Sequence, residues 1–288
     1  MQQPSVKAFF HEPTRTFSYV VWDPVTGHAA VLDAVLDYDA AAGRTAHVSA
    51  DALVAFVRRE KLAVQWVMET HVHADHLSAA PYLQSQLGGK LAIGEHIRAV
   101  QQTFGDLFNA GVAFPRDGSQ FDHLFVDGER YQVGTIDATA LHTPGHTPAC
   151  MTHLIGDAAF VGDTLFMPDY GTARCDFPGG DAATLYQSIQ KIFALPDATR
   201  VFLCHDYKAP GRDEFVHETT VGAERERNVH VRAGVTEADF VSMRTQRDAT
   251  LSAPALMFPA VQVNMRAGQL PPAEDNGLRY LKIPLDVL

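Results

Sequence analysis

Ligand-type side chains are concentrated in one short stretch of the chain, and within six positions it contains His71, His73, Asp75 and His76. Neutral imidazole suits zinc or iron, and carboxylate oxygen suits harder cations. The apolar run at residues 62–68 predicts a buried strand before this motif, and residues 77–83 predict the start of a helix after it. Because ligand sites of α/β sheets tend to lie at the carboxyl ends of strands, the sequence predicts a metal site on a strand-to-helix loop.

Three later stretches carry further ligand-type side chains, and each follows an apolar run that predicts a strand. His146 lies within residues 144–147, Asp163 follows Gly162, and His205 follows Cys204. If all these strands end at one edge, their donors converge on a single site. That site would contain seven ligand-type side chains, which are His71, His73, Asp75, His76, His146, Asp163 and His205.

The elements that must position these residues follow from hydrophobic periodicity and turn signals. Single strands are predicted at residues 62–68, 91–93, 136–142 and 200–204. Hairpins are predicted to join 17–22 to 29–33, 121–126 to 131–133, and 151–155 to 158–161. Helices are predicted at residues 49–61, 99–108, 181–194 and 237–245. Ser49 is the expected N-cap of the first helix, and the helix after His76 should stop near Gly88.

The order of these elements indicates two β-rich halves packed face to face with helices outside. Hydrophobic periodicity alone predicts only a mixture of helices and strands. The order of the elements along the chain is what favours a particular arrangement of layers. The expected fold class is α+β, as a four-layer αββα sandwich. Because no repeat or linker divides the chain, we expect one domain over residues 1–288. Within it, residues 210–288 should form a C-terminal helix and an irregular extension packed on the domain.

Composition narrows the partners of the protein. The net charge of −11 disfavours nucleic acid or an anionic membrane as the main partner, although a few arginines could still hold a small anion. No run of about eighteen apolar residues predicts a transmembrane helix, and the N-terminus shows no signal-peptide pattern. The chain has three cysteines, Cys150, Cys175 and Cys204. Because they are odd in number and widely spaced, they do not indicate a set of disulfides, and a reducing, cytoplasmic setting is expected.

The combined metal motifs resemble the metallo-β-lactamase superfamily over about residues 15–210. The resemblance implies an αββα fold with a metal site at the edge of the sandwich. In dinuclear members, the positions matching His71, His73 and His146 hold one metal. The positions matching Asp75, His76 and His205 hold the other metal, and the position matching Asp163 bridges the two. The superfamily contains hydrolases, thioesterases, lactonases and oxygen-using enzymes, so the fold alone does not fix the function.

A narrower resemblance is to the persulfide dioxygenases, relatives of glyoxalase II, and especially to a bacterial branch of β-lactamase hydrolase-like proteins. It rests on residues 162–166, 174–177 and 264–266, and on the absence of the helical substrate domain that glyoxalase II usually carries. The resemblance implies one Fe(II) per chain held by residues matching His71, His146 and Asp163. His73, Asp75, His76 and His205 would then orient the ligands and line the site.

The implied reaction converts glutathione persulfide, O₂ and water into glutathione and sulfite. By the same resemblance, Arg174 helps to hold a carboxylate of glutathione, Tyr207 lies near the substrate, and a homodimer is expected. The main alternative is a dinuclear zinc hydrolase of thioesterase or lactonase type, with one or two Zn(II) ions. A metal-binding or redox-sensing module is a third, non-enzymatic alternative.

Several other polar residues are expected to be structural. His142 and His153 lie on predicted strands, and so do Cys150 and Cys204, which are expected to pack in the core. Cys175 is expected to be an inert thiol, although the neighbouring Arg174 could lower its pKa. The charged residues 224–227 are expected to form a solvated face.

Overall fold

Two six-stranded sheets face each other in the computed structural model, which describes residues 3–287. Residues 1, 2 and 288 of the predicted domain range lie outside the described residues. In chain order, the strands are β1 (Ser5–His11), β2 (Thr16–Trp22), β3 (His28–Leu32), β4 (Val35–Asp39), β5 (Arg44–Ala46), β6 (Ala63–Met68), β7 (Leu77–Ser78), β8 (Lys90–Gly94), β9 (His123–Phe125), β10 (Arg130–Val133), β11 (Ile136–His142), β12 (Met151–Ile155), β13 (Ala158–Phe160), β14 (Arg200–Phe202) and β15 (Glu218–Thr220).

The helices alternate with these strands along the chain. They are α1 (Val48–Arg59), α2 (Ala80–Leu87), α3 (Ile97–Leu107), α4 (Ala182–Phe193), α5 (Val221–Arg227), α6 (Glu237–Asp248) and α7 (Met257–Asn264). Among the helices of residues 3–287, none has the length and apolar character that crossing a bilayer requires.

Each large sheet mixes parallel and antiparallel pairs. The first has the order β1-β2-β3-β6-β8-β9, antiparallel from β1 to β3 and parallel from β3 to β9. The second has the order β10-β11-β12-β13-β14-β15, with β13 and β14 parallel and the other pairs antiparallel. A small sheet, β5-β4-β7, lies beside the metal motif.

Three apolar cores show how the layers stack. The middle core lies between the two sheets, where Tyr19 and Phe125 of the first sheet meet Phe160 of the second. A second core packs the outer face of the first sheet against α1, α2, α3 and α7. A third packs the outer face of the second sheet against α4 and α6. β2 and β3 are buried on both faces because each sheet has a layer on either side. The predicted αββα sandwich is therefore confirmed.

One predicted hairpin is wrong. Residues 121–126 and 131–133 were expected to pair, but β9 pairs in parallel with β8, and β10 pairs with β11 in the other sheet. The intervening turn carries the chain from one sheet to the other, and Phe125 and Tyr131 both enter the core between the sheets. The hairpins β2–β3 and β12–β13 are confirmed.

Two local predictions near the metal motif are also wrong. The N-cap of α1 is His47, and Ser49 is the second residue of the helix. Its backbone N–H and hydroxyl donate to Asp37 at 2.9 and 2.7 Å. Residues 77–78 form β7, which pairs with β4, and α2 therefore begins only at Ala80. The end of α2 before Gly88 agrees with the prediction, and the φ of 75° at Gly88 suits a glycine stop.

The C-terminal region is more regular than expected. After β14 the chain adds β15, α5, α6 and α7, and α7 lies in the tail that was expected to be irregular. Pro259 falls in the first turn of α7, where a missing N–H costs no helical hydrogen bond. The expected solvated face at residues 224–227 is wrong in part, because Glu224 is fully buried.

Candidate metal centre

The ends of four strands bring the predicted ligand-type residues together. The motif at residues 71–76 follows β6 of the first sheet, and His146 follows β11 of the second. Asp163 follows β13 and His205 follows β14, and these two strands run parallel. All seven side chains therefore lie at one edge of the sandwich, where they form close contacts with one another.

Two histidines and one carboxylate form the first group of donors. The Nε2 atoms of His71 and His146 lie 3.9 and 3.6 Å from Oδ2 of Asp163. One potential ligand atom of each residue lies within 4.8 Å of the others, and all three residues are buried. This separation allows one ion to contact all three.

A second group lies on the other side of Asp163. Nε2 of His205 is 3.4 Å from Oδ1 of Asp163 and 3.3 Å from Oδ2 of Asp75. His73, Asp75 and His76 form a further set of donors within 4.8 Å of one another. Asp163 thus contacts both groups, one through each carboxylate oxygen.

Buried carboxylates orient the two histidines that begin the motif. The hydroxyl of Thr70 donates to Asp33 at 3.0 Å and accepts from Nδ1 of His71 at 3.0 Å. Nε2 of His73 lies 3.0 Å from Asp33 and 3.2 Å from Glu69. These contacts leave Nε2 of His71 and Nδ1 of His73 as the free ring nitrogens.

Backbone carbonyls orient two other histidines. Nδ1 of His146 donates to the carbonyl of Arg174 at 2.8 Å, and Nδ1 of His205 donates to the carbonyl of Arg15 at 3.2 Å. A carbonyl can only accept, so the proton lies on Nδ1 in both rings. Nε2 of each ring is then free to bind a cation.

Within the seven ligand-type residues, six buried atoms that could bind a metal have no hydrogen-bond partner within residues 3–287. Burying a polar atom without a partner is costly, and each such atom therefore calls for an explanation. Cations bound among them would give these atoms partners, so the set of ligand atoms fits a metal centre. The atoms are Nε2 of His71, Nδ1 of His73, Oδ2 of Asp75, Nε2 of His76, Oδ1 of Asp163 and Nε2 of His205.

Burial and nearby charges keep two histidines and one carboxylate of the site in the forms that bind a cation. Burial and the neighbouring His73 lower the pKa of His71 well below its ordinary value, and burial lowers the pKa of His76 to about 4. Burial raises the pKa of Asp75, but the nearby His205 and His76 outweigh it, so that the pKa lies well below its usual range. At neutral pH these three side chains are two neutral imidazoles and a carboxylate, the forms that bind a metal. His73 and His205 differ, because burial is outweighed by neighbouring carboxylates, which raise the pKa of both rings; a bound cation would displace their protons.

A cavity of about 430 Å³ opens beside the donors. Asp75, His146 and Asp163 form part of its wall, and both predicted substrate residues, Arg174 and Tyr207, also line it. Tyr207 is largely buried against Tyr170 and Phe166, with ring centroids 5.3 and 5.6 Å away.

Arg174 is already held by other residues. Its guanidinium donates twice to Asp176, at 2.6 Å each, and once to the carbonyl of Ser252 at 2.7 Å. A guanidinium held this way supports the cavity wall, while its backbone carbonyl orients His146. Two other arginines, Arg15 and Arg247, also line the cavity and have no carboxylate partner within 4 Å among residues 3–287.

Sequence reasoning missed several residues that support the centre. Asp33, Thr70 and Glu69 orient metal-site histidines, and Arg247 lines the cavity. Asp33 follows directly after the apolar strand β3, as Asp163 follows β13, and this position could have drawn attention to it. Arg247 carries no such signal, because it lies on an amphipathic helix where exposed arginines are common.

The residues expected to be structural lie away from the free donor atoms, with one exception. His153 is buried beside the hydroxyl of Tyr131, and His142 donates to the carbonyl of Pro148 at 2.8 Å. Burial raises the pKa of Cys175 to about 12, so this thiol is not activated. Cys204 is also a buried thiol, but its sulfur lies within 4.8 Å of ligand atoms of His73 and His205.

Known proteins resemble the chain in sequence and fold. Residues 11–205 match the family model of the metallo-beta-lactamase superfamily. A probable metallo-hydrolase of Burkholderia pseudomallei is 58% identical over 294 residues, covering 99% of this chain and 100% of the relative. A beta-lactamase hydrolase-like protein of Agrobacterium fabrum is 50% identical over 285 residues, which are 99% of this chain and 65% of that longer relative.

One solved structure matches the fold over most of the chain. The crystal structure of ETHE1 from Myxococcus xanthus has a TM-score of 0.72 and 28% identity, and the match covers 92% of this chain and 100% of that one. The family match spans the four strand ends that carry the donors, and the relatives bear out the resemblance to β-lactamase hydrolase-like proteins. This chain belongs to the metallo-beta-lactamase superfamily.

Proposed function

We propose that this member of the superfamily is a persulfide dioxygenase that uses one Fe(II) ion. The observation that carries the proposal is the triad of His71, His146 and Asp163, whose ligand atoms lie within 4.8 Å of one another. Two histidines and one carboxylate on one face, with open positions opposite, suit non-haem iron enzymes that use O₂. His146 and Asp163 also line the cavity, so a substrate there would lie beside the triad.

The proposed reaction is glutathione persulfide plus O₂ and water giving glutathione, sulfite and protons. The terminal sulfur gains three oxygen atoms, and O₂ is the oxidant. The terminal sulfur gives up the four electrons that reduce O₂, and Fe(II) held by His71, His146 and Asp163 would allow O₂ to react with this closed-shell sulfur compound. The protein must therefore place the terminal sulfur beside Asp163 and His146 and hold the peptide part of the substrate in the cavity.

The cavity has properties suited to such a substrate. A volume of about 430 Å³ lies within the usual range for small-molecule sites. Aromatic rings of Phe166, Tyr170 and Tyr207 form one part of the wall and offer an apolar surface to the substrate. Arg15 and Arg247 are available to pair with the two carboxylates of glutathione, although the whole protein is acidic.

The donors outside the triad support a second candidate, a dinuclear zinc hydrolase acting on a glutathione thioester or a lactone. Four of the six unpartnered atoms belong to these residues, and they are Nδ1 of His73, Oδ2 of Asp75, Nε2 of His76 and Nε2 of His205. A second ion held by Asp75, His76 and His205 would share Asp163 with the first ion, and His73 would help to hold that first ion. The Burkholderia relative is named a probable metallo-hydrolase, which also favours this candidate.

Reconstitution of the metal-free protein separates the two candidates. The protein is loaded with Fe(II) or with Zn(II), and each form is assayed with glutathione persulfide and with lactoylglutathione. The first proposal expects rapid O₂ uptake with the persulfide in the iron form only. Thioester hydrolysis by the zinc form, with two zinc ions per chain and no O₂ uptake in either form, would establish the hydrolase instead.

A further inference from the structure

Asn264, at the end of α7, reaches the metal motif from a distant part of the chain. Its side chain is buried, with 5% of the residue surface exposed, and α7 packs beside β7. The superfamily match ends at residue 205, so Asn264 lies outside the matched region. A residue of the C-terminal region therefore contacts the loop that carries four of the donors.

Three hydrogen bonds join this side chain to the loop. The amide nitrogen of Asn264 donates to the backbone carbonyls of His73 and His76, both at 2.8 Å. The amide oxygen accepts from the backbone N–H of Ser78, also at 2.8 Å. The side chain thus spans the second half of the motif and holds both of its ends.

We infer that Asn264 is a positioning residue of the metal centre that fixes the separation of His73 and His76. Only a carboxamide offers two N–H donors and one acceptor in so small a side chain. Without it, the carbonyls of His73 and His76 and the N–H of Ser78 would be buried without partners, and the loop would shift to satisfy them. Such a shift would move two donor rings away from the geometry that binds the ion.

A second chain of contacts runs from the same residue to His73. Asn264 fixes the backbone of Ser78, whose hydroxyl donates to Glu69 at 2.6 Å. Glu69 in turn lies 3.2 Å from Nε2 of His73, on the side of the ring opposite the free Nδ1. Asn264 therefore acts on His73 both through its backbone and through the carboxylate that orients its ring. The inference requires only that the centre binds a metal. In the hydrolase candidate His73 and His76 are ligands, and in the dioxygenase candidate they line the site and orient its ligands.

Gln262 provides a matched control in the same helix. It is also a buried carboxamide, with 3% of its surface exposed, and it bonds to the backbone of Phe258 and Lys282. Its contacts tie α7 to the C-terminal extension and do not touch the metal motif. Replacing either residue by alanine removes a buried amide from α7, but only Asn264→Ala releases the loop.

The test measures Co(II) affinity by competition with a chromophoric chelator, together with the visible spectrum of the Co(II) form. Asn264→Ala should weaken affinity by about 10- to 100-fold, the range typical of residues that orient ligands, and should alter the Co(II) bands. Gln262→Ala should leave affinity and spectrum unchanged, even where its metal-free form melts at a lower temperature. The melting temperatures of the metal-free proteins separate lost stability from lost positioning.

A conservative variant provides the same test if Asn264→Ala does not fold. Asn264→Asp keeps the shape and the acceptor for Ser78 but removes both donors to the loop, so it should also weaken Co(II) binding and alter the spectrum. Parental affinity and spectrum in either folded Asn264 variant would overturn the inference. Equal weakening by Gln262→Ala would overturn it too, because the effect would then come from α7 as a whole.

Discussion

Nδ1 of His146 donates a hydrogen bond to the backbone carbonyl of Arg174 at 2.8 Å. This bond turns Nε2 of His146 toward Asp163, 3.6 Å away, and ties a metal-site histidine to the wall of the neighbouring cavity. The side chain of Arg174 is held at the same time by Asp176 and by the carbonyl of Ser252. Metal site and cavity therefore share one rigid segment, which is the basis for the predictions below.

Asp163 should be indispensable for metal binding because its two oxygens contact donors on both sides of the centre. We expect Asp163→Ala to lower metal affinity by more than about 100-fold, beyond the loss typical of residues that only orient a ligand. Metal content after dialysis measures this directly. Asp137→Ala, at an exposed position of β11, is the control and should retain the parental content. Full metal occupancy in Asp163→Ala would mean that the ligand set is misassigned.

Arg247 should contribute to substrate binding more than to the chemical step. Arg247 lines the cavity and has no carboxylate partner within 4 Å among residues 3–287. We expect Arg247→Ala to raise KM for glutathione persulfide by roughly 5- to 10-fold with little change in kcat, as for loss of a solvent-accessible charged contact.

Arg247→Lys should recover part of this loss because it keeps the charge. Arg227→Ala, on α5 and outside the cavity lining, should leave KM unchanged. An unchanged KM in Arg247→Ala would remove this residue from the binding site.

Glu224 should make stability depend on pH. Burial and the nearby Asp169 raise the pKa of this carboxyl to about 8 from an ordinary 4.5, although Asn228 donates to it at 2.7 Å. Below about pH 4.5 both folded and unfolded states hold the proton. As pH rises toward 8 the unfolded state loses it first, so the stability of the folded protein falls over this window and levels off above it.

The substitution Glu224→Gln removes this dependence. The melting temperature of the variant minus that of the parent should increase from about pH 5 to pH 8 and then stay constant. Glu226→Gln changes an exposed residue of the same helix and should give a difference that does not vary with pH. A constant difference for Glu224→Gln as well would show that Glu224 titrates normally.

The three cysteines should be unreactive in the folded protein. All are buried, and burial raises the pKa of both Cys150 and Cys175 to about 12. Since the thiolate is the reactive form, its fraction at pH 8 is very small. We expect slow reaction with a disulfide reagent in the native state and three reactive thiols after unfolding. A thiol that reacts rapidly in the native protein, and is lost in Cys175→Ser, would contradict this.

The sequence predicts the metal centre better than it predicts the surrounding contacts. His71, His146 and Asp163 each follow an apolar strand, and ligand types at strand ends are visible without a structure. The false hairpin at residues 121–133 shows the limit, because its turn signal is local while β9 and β10 choose partners in different sheets. The partner of a strand is a segment that is distant in the sequence, and a local turn signal does not identify it.

The residues that support the centre were harder to predict for the same reason. In the sequence, Asn264 stood out only as part of residues 264–266, which resemble the persulfide dioxygenases. Its bonds to His73 and His76 join residues more than 180 positions apart, so no local pattern predicts them. Glu224 has charged neighbours on both sides in sequence, yet the packing of α5 buries it. Periodicity on a helix of seven residues is too short to reveal such a position.

The stoichiometry of O₂ uptake tests the proposed function most directly. Iron-reconstituted protein is mixed with glutathione persulfide in an oxygen electrode, and sulfite and glutathione are measured in the same sample, with Asp163→Ala as the blank. The account predicts one O₂ consumed for each sulfite and each glutathione formed. O₂ uptake no faster than that of Asp163→Ala, in protein shown to contain iron, would contradict it.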